Sequence, residues 1–477
     1  MGTTPPITVD PDNQAYRHLI PGAGITPRVL PVAQRLGSLA GLLSRTGHGV
    51  RVVDHEGDGA RVRVYEPPAT TAPAALLWIH GGGLVLGTPR QDDPRCSNLA
   101  AALGITVVSA AYRTAPQHPY PAALDDCAAA WTWVQTHAAQ LGIDPQRVVV
   151  GGASAGGGLA TALAQRLRDE GAPQPRGQLL VYPMLDDRTA ADNSLDRAGD
   201  LVWTNVSNRT GWTAYLGQPP GRPTAPPYAV PARCDDLADL PPAWIGVGTA
   251  DLFATECQEY ARRLREAGVP VDLAMVDDVP HGFDVRLAPR RSQRFLADQY
   301  EWLAATLELP PFDSSAVTGL AGPDRIDGAP IGAAEATMID ATPDVVWRQI
   351  ADHHSWPEWF GGLSSVVVTG RAAGVGGRRR VFAGPVRFDE VFTVWEPGRH
   401  FAFAVTGSSV PGLDWLAESI TLEPVGAATL VQYRQGLAAR PGYGWLWSAL
   451  WTRASAQLAP GLQELKTRSE SDSARDT

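Results

Sequence analysis

Apolar runs alternate with amphipathic stretches along roughly the first two thirds of the chain. Segments typical of strands lie at 50–53, 61–65, 75–79, 105–110, 147–150, 177–183, 243–249 and 271–276. Amphipathic stretches at helical spacing lie between several of them, and one spans 121–142. Because strands that alternate with helices build parallel sheets with both faces covered, this part is predicted to be an α/β unit with a mostly parallel sheet.

The pattern changes after residue 330. A strand-like segment at 334–340 is followed by a helical stretch at 342–350. Further strand-like segments lie at 365–368, 380–382, 386–388, 391–395, 401–405 and 429–433. A long helical stretch then covers about 442–466. One strand, a helix, a run of antiparallel strands and a long terminal helix predict an α+β helix-grip domain.

The boundary between the two patterns is rich in Pro, Gly, Ser and Asp, which is typical of a linker. We expect the α/β unit over 1–312, a linker over 313–330, the helix-grip domain over 331–468 and a disordered tail over 469–477. About the first 50 residues and the proline-rich segment 186–234 interrupt the α/β alternation. They are predicted to form a cap over the sheet.

A turn of small residues follows the apolar strand at 147–150. Residues 152–156 read GASAG, the G-x-S-x-G pattern in which a strand turns sharply into a helix and exposes the serine. The flanking positions must be small so that neighbouring backbone can approach. Ser154 is therefore the candidate nucleophile.

A run of glycines follows the strand at 75–79, with the sequence HGGG at 80–83. Consecutive glycines leave backbone N–H groups open to a developing oxyanion. We expect Gly81 and Gly82 to supply two N–H groups, together with that of Ala155 after the nucleophile. The alternative is a phosphate-cradling turn, but the run lacks the ending of a P-loop and the spacing of a dinucleotide fingerprint.

Two late strands supply the remaining members of a triad. Asp251 follows the strand at 243–249, and His281 follows the strand at 271–276. Between Ser154 and the linker, His281 is the only histidine. Asp251 is favoured by its strand-end position over other nearby carboxylates, namely Asp235, Asp236, Asp277, Asp278 and Glu256. The order Ser, Asp, His is the one expected of an α/β-hydrolase.

Several aromatic side chains are candidates for lining a ligand pocket. Trp203 and Trp212 in the cap segment could line an acyl or alcohol pocket, or pack the core of the cap. In the second domain Trp445, Trp447 and Trp451 could line a ligand cavity, although packing of the terminal helix is favoured. The pair His353-His354 does not predict a metal site, since adjacent helical side chains diverge.

These motifs together resemble the hormone-sensitive lipase family of α/β-hydrolases over about residues 40–310. The segments that carry the resemblance are HGGG at 80–83, the stretch 112–126, GASAGG at 152–157, Asp251 with Glu256, and HGF at 281–283. The resemblance implies carboxylesterase activity on short or medium acyl chains, without a cofactor. The chain departs from the family at Ala153, where Asp is usual, and at Gly158, where Asn is common. Neither departure removes a catalytic group.

Residues 331–468 resemble the polyketide cyclase/dehydrase-like branch of the START-like superfamily. The segments 341–347, 352–359 and 395–399 carry this resemblance. Such domains usually hold an apolar ligand between the sheet and the long helix, so a possible apolar ligand is implied. The signature is structural and does not transfer a reaction.

Composition narrows the class of partner. A formal charge of −10 and a pI near 5.5 argue against nucleic acid or an anionic membrane surface. No apolar run is long enough to span a bilayer, and no secretory signal is visible at the start. The four cysteines lie far apart, so neither a metal site nor a disulfide framework is expected and a reducing cytoplasm fits best.

Two hypotheses about function follow from the sequence. The first is a cytoplasmic serine carboxylesterase that acts on a small-molecule ester and carries an appended apolar-ligand domain. The second is a binding protein for an apolar small molecule, with the START-like domain as its primary functional unit.

Overall fold

The computed structural model describes residues 24–42, 50–57, 59–67, 70, 72–196, 203–285, 290–309 and 320–475. These residues divide into two compact units, one ending at Leu309 and the other following it. Each unit has its own hydrophobic core. Within the described ranges, no helix has the length and apolar character needed to cross a membrane.

An eight-stranded sheet organises the first unit. Its strands are β1 (Arg51–Gly57), β2 (Ala60–Glu66), β3 (Ala75–Ile79), β4 (Thr106–Ala110), β5 (Val148–Ala153), β6 (Gln178–Val181), β7 (Ala243–Gly248) and β8 (Val271–Val276). They lie in the order β1-β2-β4-β3-β5-β6-β7-β8. Strand β2 pairs antiparallel with β1 and β4, and every other pair is parallel. The predicted mostly parallel sheet is confirmed.

Nine described helices accompany this sheet. They are α1 (Leu30–Leu42), α2 (Asp93–Leu103), α3 (Ala122–Thr136), α4 (Ala138–Leu141), α5 (Ala155–Asp169), α6 (Asp187–Ala191), α7 (Asn205–Leu216), α8 (Ala254–Glu266) and α9 (Arg290–Thr306). Strands β3, β4, β5 and β7 are buried along their whole length. Burial on both faces explains why these strands read as continuous apolar runs in the sequence.

The two segments predicted as a cap contact each other. The N-terminal segment contributes α1, and the segment 186–234 contributes α6 and α7. The Ile25 N–H donates to the Ser207 hydroxyl of α7 at 2.8 Å. The Gln34 amide of α1 donates to the Val85 carbonyl at 2.9 Å, close to the glycine run. The cap segments are thereby tied to the loop that follows β3.

A seven-stranded antiparallel sheet organises the second unit. Its strands are β9 (Ile331–Ile339), β10 (Ser365–Val368), β11 (Arg378–Ala383), β12 (Val386–Glu396), β13 (His400–Ser408), β14 (Leu413–Val425) and β15 (Ala428–Ala439). Their order is β10-β11-β12-β13-β14-β15-β9. The helices are α10 (Pro343–Ala351), α11 (Trp356–Trp359), α12 (Gly444–Ser455) and α13 (Leu458–Ser473). Leucines of α13 join the core beneath the sheet, as expected of a helix-grip domain.

Four details of the second unit differ from the sequence prediction. The single helix predicted over 442–466 is two helices, because Pro460 lacks an N–H and its ring would clash with the carbonyl four residues earlier. Residues 469–473 continue α13 rather than starting a disordered tail, since Ser469 is fully buried. The segments predicted at 386–388 and 391–395 form one strand, β12, and β14 was not predicted.

Candidate active site

Ser154 occupies the turn between β5 and α5. Its backbone has φ +57° and ψ −121°, a conformation that a residue with a side chain rarely adopts. The turn is tight because the backbone of α5 meets that of β3. A methyl group added to Gly156 would lie 2.0 Å from the carbonyl oxygen of Ile79. Small residues therefore flank Ser154 for a steric reason, as the sequence pattern predicts.

The side chains of Ser154, His281 and Asp251 lie in a line of hydrogen bonds. His281 Nε2 is 2.9 Å from Ser154 Oγ, and His281 Nδ1 is 2.8 Å from Asp251 Oδ2. All three residues are buried, with 6 to 7% of their surface exposed. They come from the turns after β5, β7 and β8, whose carboxyl ends meet at one edge of the sheet.

The orientation of Asp251 determines which nitrogen of His281 carries the proton. Its second oxygen, Oδ1, accepts a hydrogen bond from the Phe253 N–H at 2.9 Å, which leaves Oδ2 facing the imidazole. Because a carboxylate only accepts, Nδ1 carries the proton and Nε2 keeps its lone pair. Nε2 can therefore accept the hydroxyl proton of Ser154.

The structure shows different hydrogen-bond partners for Asp251 and Glu256, two of the carboxylates that the sequence offered as the acid partner of His281. The Glu256 carboxylate accepts from the Leu185 N–H at 2.7 Å and is also bonded to the Thr189 hydroxyl. Burial raises the pKa of Glu256 well above its ordinary value. Its hydrogen bonds point to the cap segment, so Asp251 is the acid that faces His281.

The glycine run after β3 lies against Ser154. A methyl group added to Gly81 would lie 3.4 Å from Ser154 Cβ. Gly82 has φ +133°, and its carbonyl accepts from the Leu86 N–H at 2.8 Å. Among the described residues, no acceptor bonds the Gly81 or Gly82 N–H. Ala155 is the first residue of α5, where a helix leaves its N–H groups unpaired.

His80 and Gln91 both form hydrogen bonds to the carbonyl of Gly81. The imidazole Nδ1 of His80 lies 2.9 Å from the Gly81 oxygen, and the Gln91 amide donates to the same oxygen at 3.1 Å. Burial lowers the pKa of His80 to about 4, so its ring is neutral at pH 7. The ring stacks on Tyr112 at 4.2 Å. His80 lies next to the glycines in the motif, but Gln91 has no sequence signal that marks this contact.

The two departures from the family pattern have different surroundings. At Gly158 a methyl group would lie 2.1 Å from the carbonyl oxygen of Met184. The Met184 N–H and the Gly158 N–H both donate to the Ser154 carbonyl, at 3.0 and 3.1 Å. An asparagine could not occupy this position without moving the backbone that holds the nucleophile. Ala153, in contrast, is a nearly buried small side chain.

The two cap tryptophans predicted to line a pocket lie in different places. Trp203 packs on the glycine run, where a methyl group added to Gly83 would lie 2.0 Å from its ring. Its buried indole N–H has no hydrogen-bond partner among the described residues. Trp212 lies edge-on to Tyr215 at 6.1 Å and is 1% exposed. Trp203 therefore adjoins the candidate site, whereas Trp212 packs in the core of the unit.

The three tryptophan candidates of the second unit differ in burial. Trp447 and Trp451 are buried with Leu416 and Leu437 in one hydrophobic cluster, whereas Trp445 is 74% exposed. The favoured prediction of core packing therefore describes the first two.

The adjacent histidines of the second unit have protein partners. His353 Nε2 donates to the Ala372 carbonyl at 2.7 Å, and Nδ1 accepts from Arg379 at 3.2 Å. Within the described ranges, no three or more His, Cys, Asp or Glu side chains are grouped to hold a metal ion.

Comparison with known proteins identifies both units. A family model of the α/β-hydrolase fold matches residues 76–285, and a model for polyketide cyclase/dehydrase and lipid transport matches residues 331–470. Esterase LipI of Mycobacterium tuberculosis is 38% identical over 242 residues, which are 49% of this chain and 75% of that protein. Ethyl acetate hydrolase of Pseudomonas putida is 31% identical over 295 residues, 58% of this chain and 92% of that protein.

Solved structures give the same result. A bacterial heroin esterase aligns with a TM-score of 0.58 at 34% identity, covering 64% of this chain and 98% of its own. Esterase LipW from Mycobacterium marinum aligns with a TM-score of 0.56 at 35% identity, covering 62% and 96%. These comparisons confirm the prediction of a carboxylic ester hydrolase. They do not favour a protein whose primary function is ligand binding.

Proposed function

We propose that this chain cleaves short- to medium-chain acyl esters through Ser154, His281 and Asp251. The chain belongs to the hormone-sensitive lipase family of α/β-hydrolases and is a carboxylic ester hydrolase. The observation that supports this most directly is the pair of hydrogen bonds at the imidazole, 2.9 Å to the serine and 2.8 Å to the aspartate. Nucleophile, base and orienting acid are then in contact in the order the chemistry requires.

The proposed reaction has two halves. Ser154 Oγ attacks the ester carbonyl carbon while His281 Nε2 takes the hydroxyl proton. The tetrahedral intermediate collapses by breaking the bond to the alcohol oxygen, which receives that proton and leaves as the alcohol. Water then attacks the acyl-enzyme with His281 again as base, and the acid leaves as Ser154 regains its proton. Asp251 stabilises the imidazolium in both halves.

Backbone N–H groups of Gly81, Gly82 and Ala155 are proposed to bind the negatively charged oxygen of the intermediate. The absence of acceptors for the two glycine N–H groups within the described ranges supports this role. A single donor of this kind is worth roughly 10²–10³ in turnover. The contact of Trp203 with Gly83 supports a further role for its ring in lining the substrate pocket.

The helix-grip domain is proposed to bind an apolar ligand in support of the esterase. The matching family description, which includes lipid transport, is compatible with such a ligand. Binding of oleate, a fatty acid that contains no ester, should slow hydrogen–deuterium exchange within residues 331–470 of the full chain. Unchanged exchange there would count against a ligand of this class. The cytoplasmic location stays a prediction from the sequence.

The central test replaces the nucleophile. Ser154→Ala should lower turnover of p-nitrophenyl esters, from acetate to long acyl chains, on the order of 10⁶-fold. The matched control is Ser109→Ala in β4, which removes a buried hydroxyl that has no hydrogen-bond partner in the described part of the chain. We expect the control to keep wild-type turnover. Full activity in Ser154→Ala would refute the proposed mechanism, and the wild-type series gives the acyl-length preference.

A further inference from the structure

The imidazole of His281 is held from its sides as well as through its two nitrogens. Hydrogen bonds at Nδ1 and Nε2 define an axis, and they do not by themselves prevent the ring from rotating about it. The ring of Tyr182 meets the imidazole at 4.6 Å between centroids and 64° between planes. Phe253 meets it at 5.1 Å and 89°. These edge-on contacts restrict the rotation that the hydrogen bonds leave open.

Tyr182 is itself held in an unusual position. It directly follows β6 with φ +35°, and its N–H donates to the Gly246 carbonyl at 2.6 Å. A side chain at positive φ persists where the surrounding structure determines it. The Tyr182 hydroxyl donates to Asp284 Oδ1 at 2.6 Å.

Asp284 lies on the same loop as His281, three residues later. Its side chain is 0% exposed and forms an ion pair with Arg95 of α2. Arg95 also donates to Gln299 of α9 at 3.0 Å, and its guanidinium lies 5.2 Å from the ring of Trp78. The Arg95 guanidinium thus lies against the buried Asp284 side chain, which accepts the hydrogen bond from Tyr182.

We propose that Tyr182 and Asp284 are positioning residues for the ester hydrolysis, which hold the His281 ring in the plane that joins Ser154 to Asp251. These contacts form a closed circuit. The His281 imidazole packs on the Tyr182 ring, the Tyr182 hydroxyl donates to Asp284, and Asp284 lies on the same loop as His281. Neither residue touches the reacting atoms. The role rests on the triad proposed above.

The first test is Tyr182→Phe, which keeps the aromatic ring and the Arg95–Asp284 ion pair and removes only the hydroxyl. Small misplacements of a catalytic group cost up to about 10²-fold in rate, so we expect kcat for p-nitrophenyl butyrate to fall about 10- to 100-fold. KM should stay within about twofold, because the substrate pocket is unchanged. Because partial unfolding would also lower apparent kcat without changing KM, kcat is calculated per folded enzyme, with the folded fraction measured by thermal melting.

The matched control is Tyr260→Phe. Tyr260 is equally buried in α8, and its hydroxyl accepts from the Gln165 amide at 3.0 Å. The control therefore loses one buried hydroxyl hydrogen bond of the same unit, and its kcat should match the wild type. A kcat for Tyr182→Phe within about twofold of wild type, or an equal fall in both variants, would overturn the proposal.

A second variant tests whether the two residues act through one contact. Asp284→Asn should lower kcat as Tyr182→Phe does, and the double variant should show little further loss, since coupled residues are not additive. Full additivity would contradict the proposal. If thermal melting shows that Asp284→Asn does not fold, the result for Tyr182→Phe alone decides whether the positioning role holds. Retained activity in Ser154→Ala would refute the triad itself, whereas an inactive Ser154→Ala with a fully active Tyr182→Phe refutes only the positioning role.

Discussion

Replacing Asp251 by asparagine tests the proton position on which the mechanism depends. Asp251 Oδ1 accepts from the Phe253 N–H at 2.9 Å, and Oδ2 faces His281 Nδ1 at 2.8 Å. In Asp251→Asn the side-chain amide has one accepting oxygen, so it can accept a hydrogen bond from only one of these two neighbours. If its oxygen keeps the Phe253 bond, its NH₂ group faces Nδ1, and the imidazole must carry its proton on Nε2. In that tautomer Nε2 cannot accept the serine proton.

The magnitude follows from the cost of the opposite orientation. Turning the amide so that its oxygen faces His281 sets its NH₂ group against the buried Phe253 N–H, which costs about 1–3 kcal/mol. The productive tautomer then falls to a fraction between roughly 1/5 and 1/150. Loss of the charge-assisted bond to the imidazolium costs about 1–2 kcal/mol more. Together these effects amount to about 2–5 kcal/mol and predict a fall in kcat of roughly 30- to 5,000-fold, the upper end approaching the effect of the same change in serine protease triads.

The assay is turnover of p-nitrophenyl butyrate by Asp251→Asn beside Glu256→Gln. The Glu256 carboxylate bonds the Leu185 N–H and the Thr189 hydroxyl, and a glutamine can keep both bonds because the hydroxyl can rotate to accept. We expect Glu256→Gln to stay within a few-fold of wild-type kcat. Activity of Asp251→Asn within about tenfold of wild type, or a large loss in Glu256→Gln alone, would refute the assignment of the acid.

Three further changes test other parts of the molecule. Trp203→Ala should open space beside the glycine run and raise the relative turnover of longer p-nitrophenyl esters; an unchanged chain-length profile would contradict its pocket role. Gly156→Ala places a methyl group 2.0 Å from the Ile79 oxygen and should lower both melting temperature and kcat. In its control, Gly322→Ala, the added methyl group meets no described atom within 4 Å, so neither quantity should change. In the helix-grip unit burial raises the pKa of Glu390 to about 7, above its ordinary value of 4.5. Arg379, which donates to Glu390 at 2.6 Å, opposes this shift without cancelling it. The folded state therefore binds the proton more tightly than the unfolded chain, so the stability of the wild type should fall as pH rises from about 4.5 to about 7. Urea denaturation of the wild type beside Glu390→Gln measures this, and a difference between them that does not change with pH would contradict the shift.

Local chemistry made much of the fold and site predictable. Buried parallel strands are apolar throughout, so their runs mark the sheet of the first unit directly. The tight turn at Ser154 requires small neighbours, which leaves a pattern within five residues. His281 follows by elimination, since no other histidine lies between Ser154 and the linker. These constraints act within a few residues, so a single sequence displays them.

Other features depend on residues that are distant in the chain. Asp251 and Glu256 lie five residues apart, and only the placement of β8 and of the cap segment shows which one faces His281. The choice between Trp203 and Trp212 likewise depends on how α7 meets the glycine run.

By itself, the sequence determined the alternation of elements, the tight turn at Ser154 and the chain order of the three residues proposed as a triad. The alternation and the turn follow from local sterics, and the choice of His281 follows from a count of histidines. The tertiary structure alone decided the contact of Tyr182 with His281 and with Asp284. That contact joins β6 to the loop after β8, more than a hundred residues later. Neither residue carries a local signal, since a tyrosine after a strand and an aspartate in a turn are ordinary until packing brings them together.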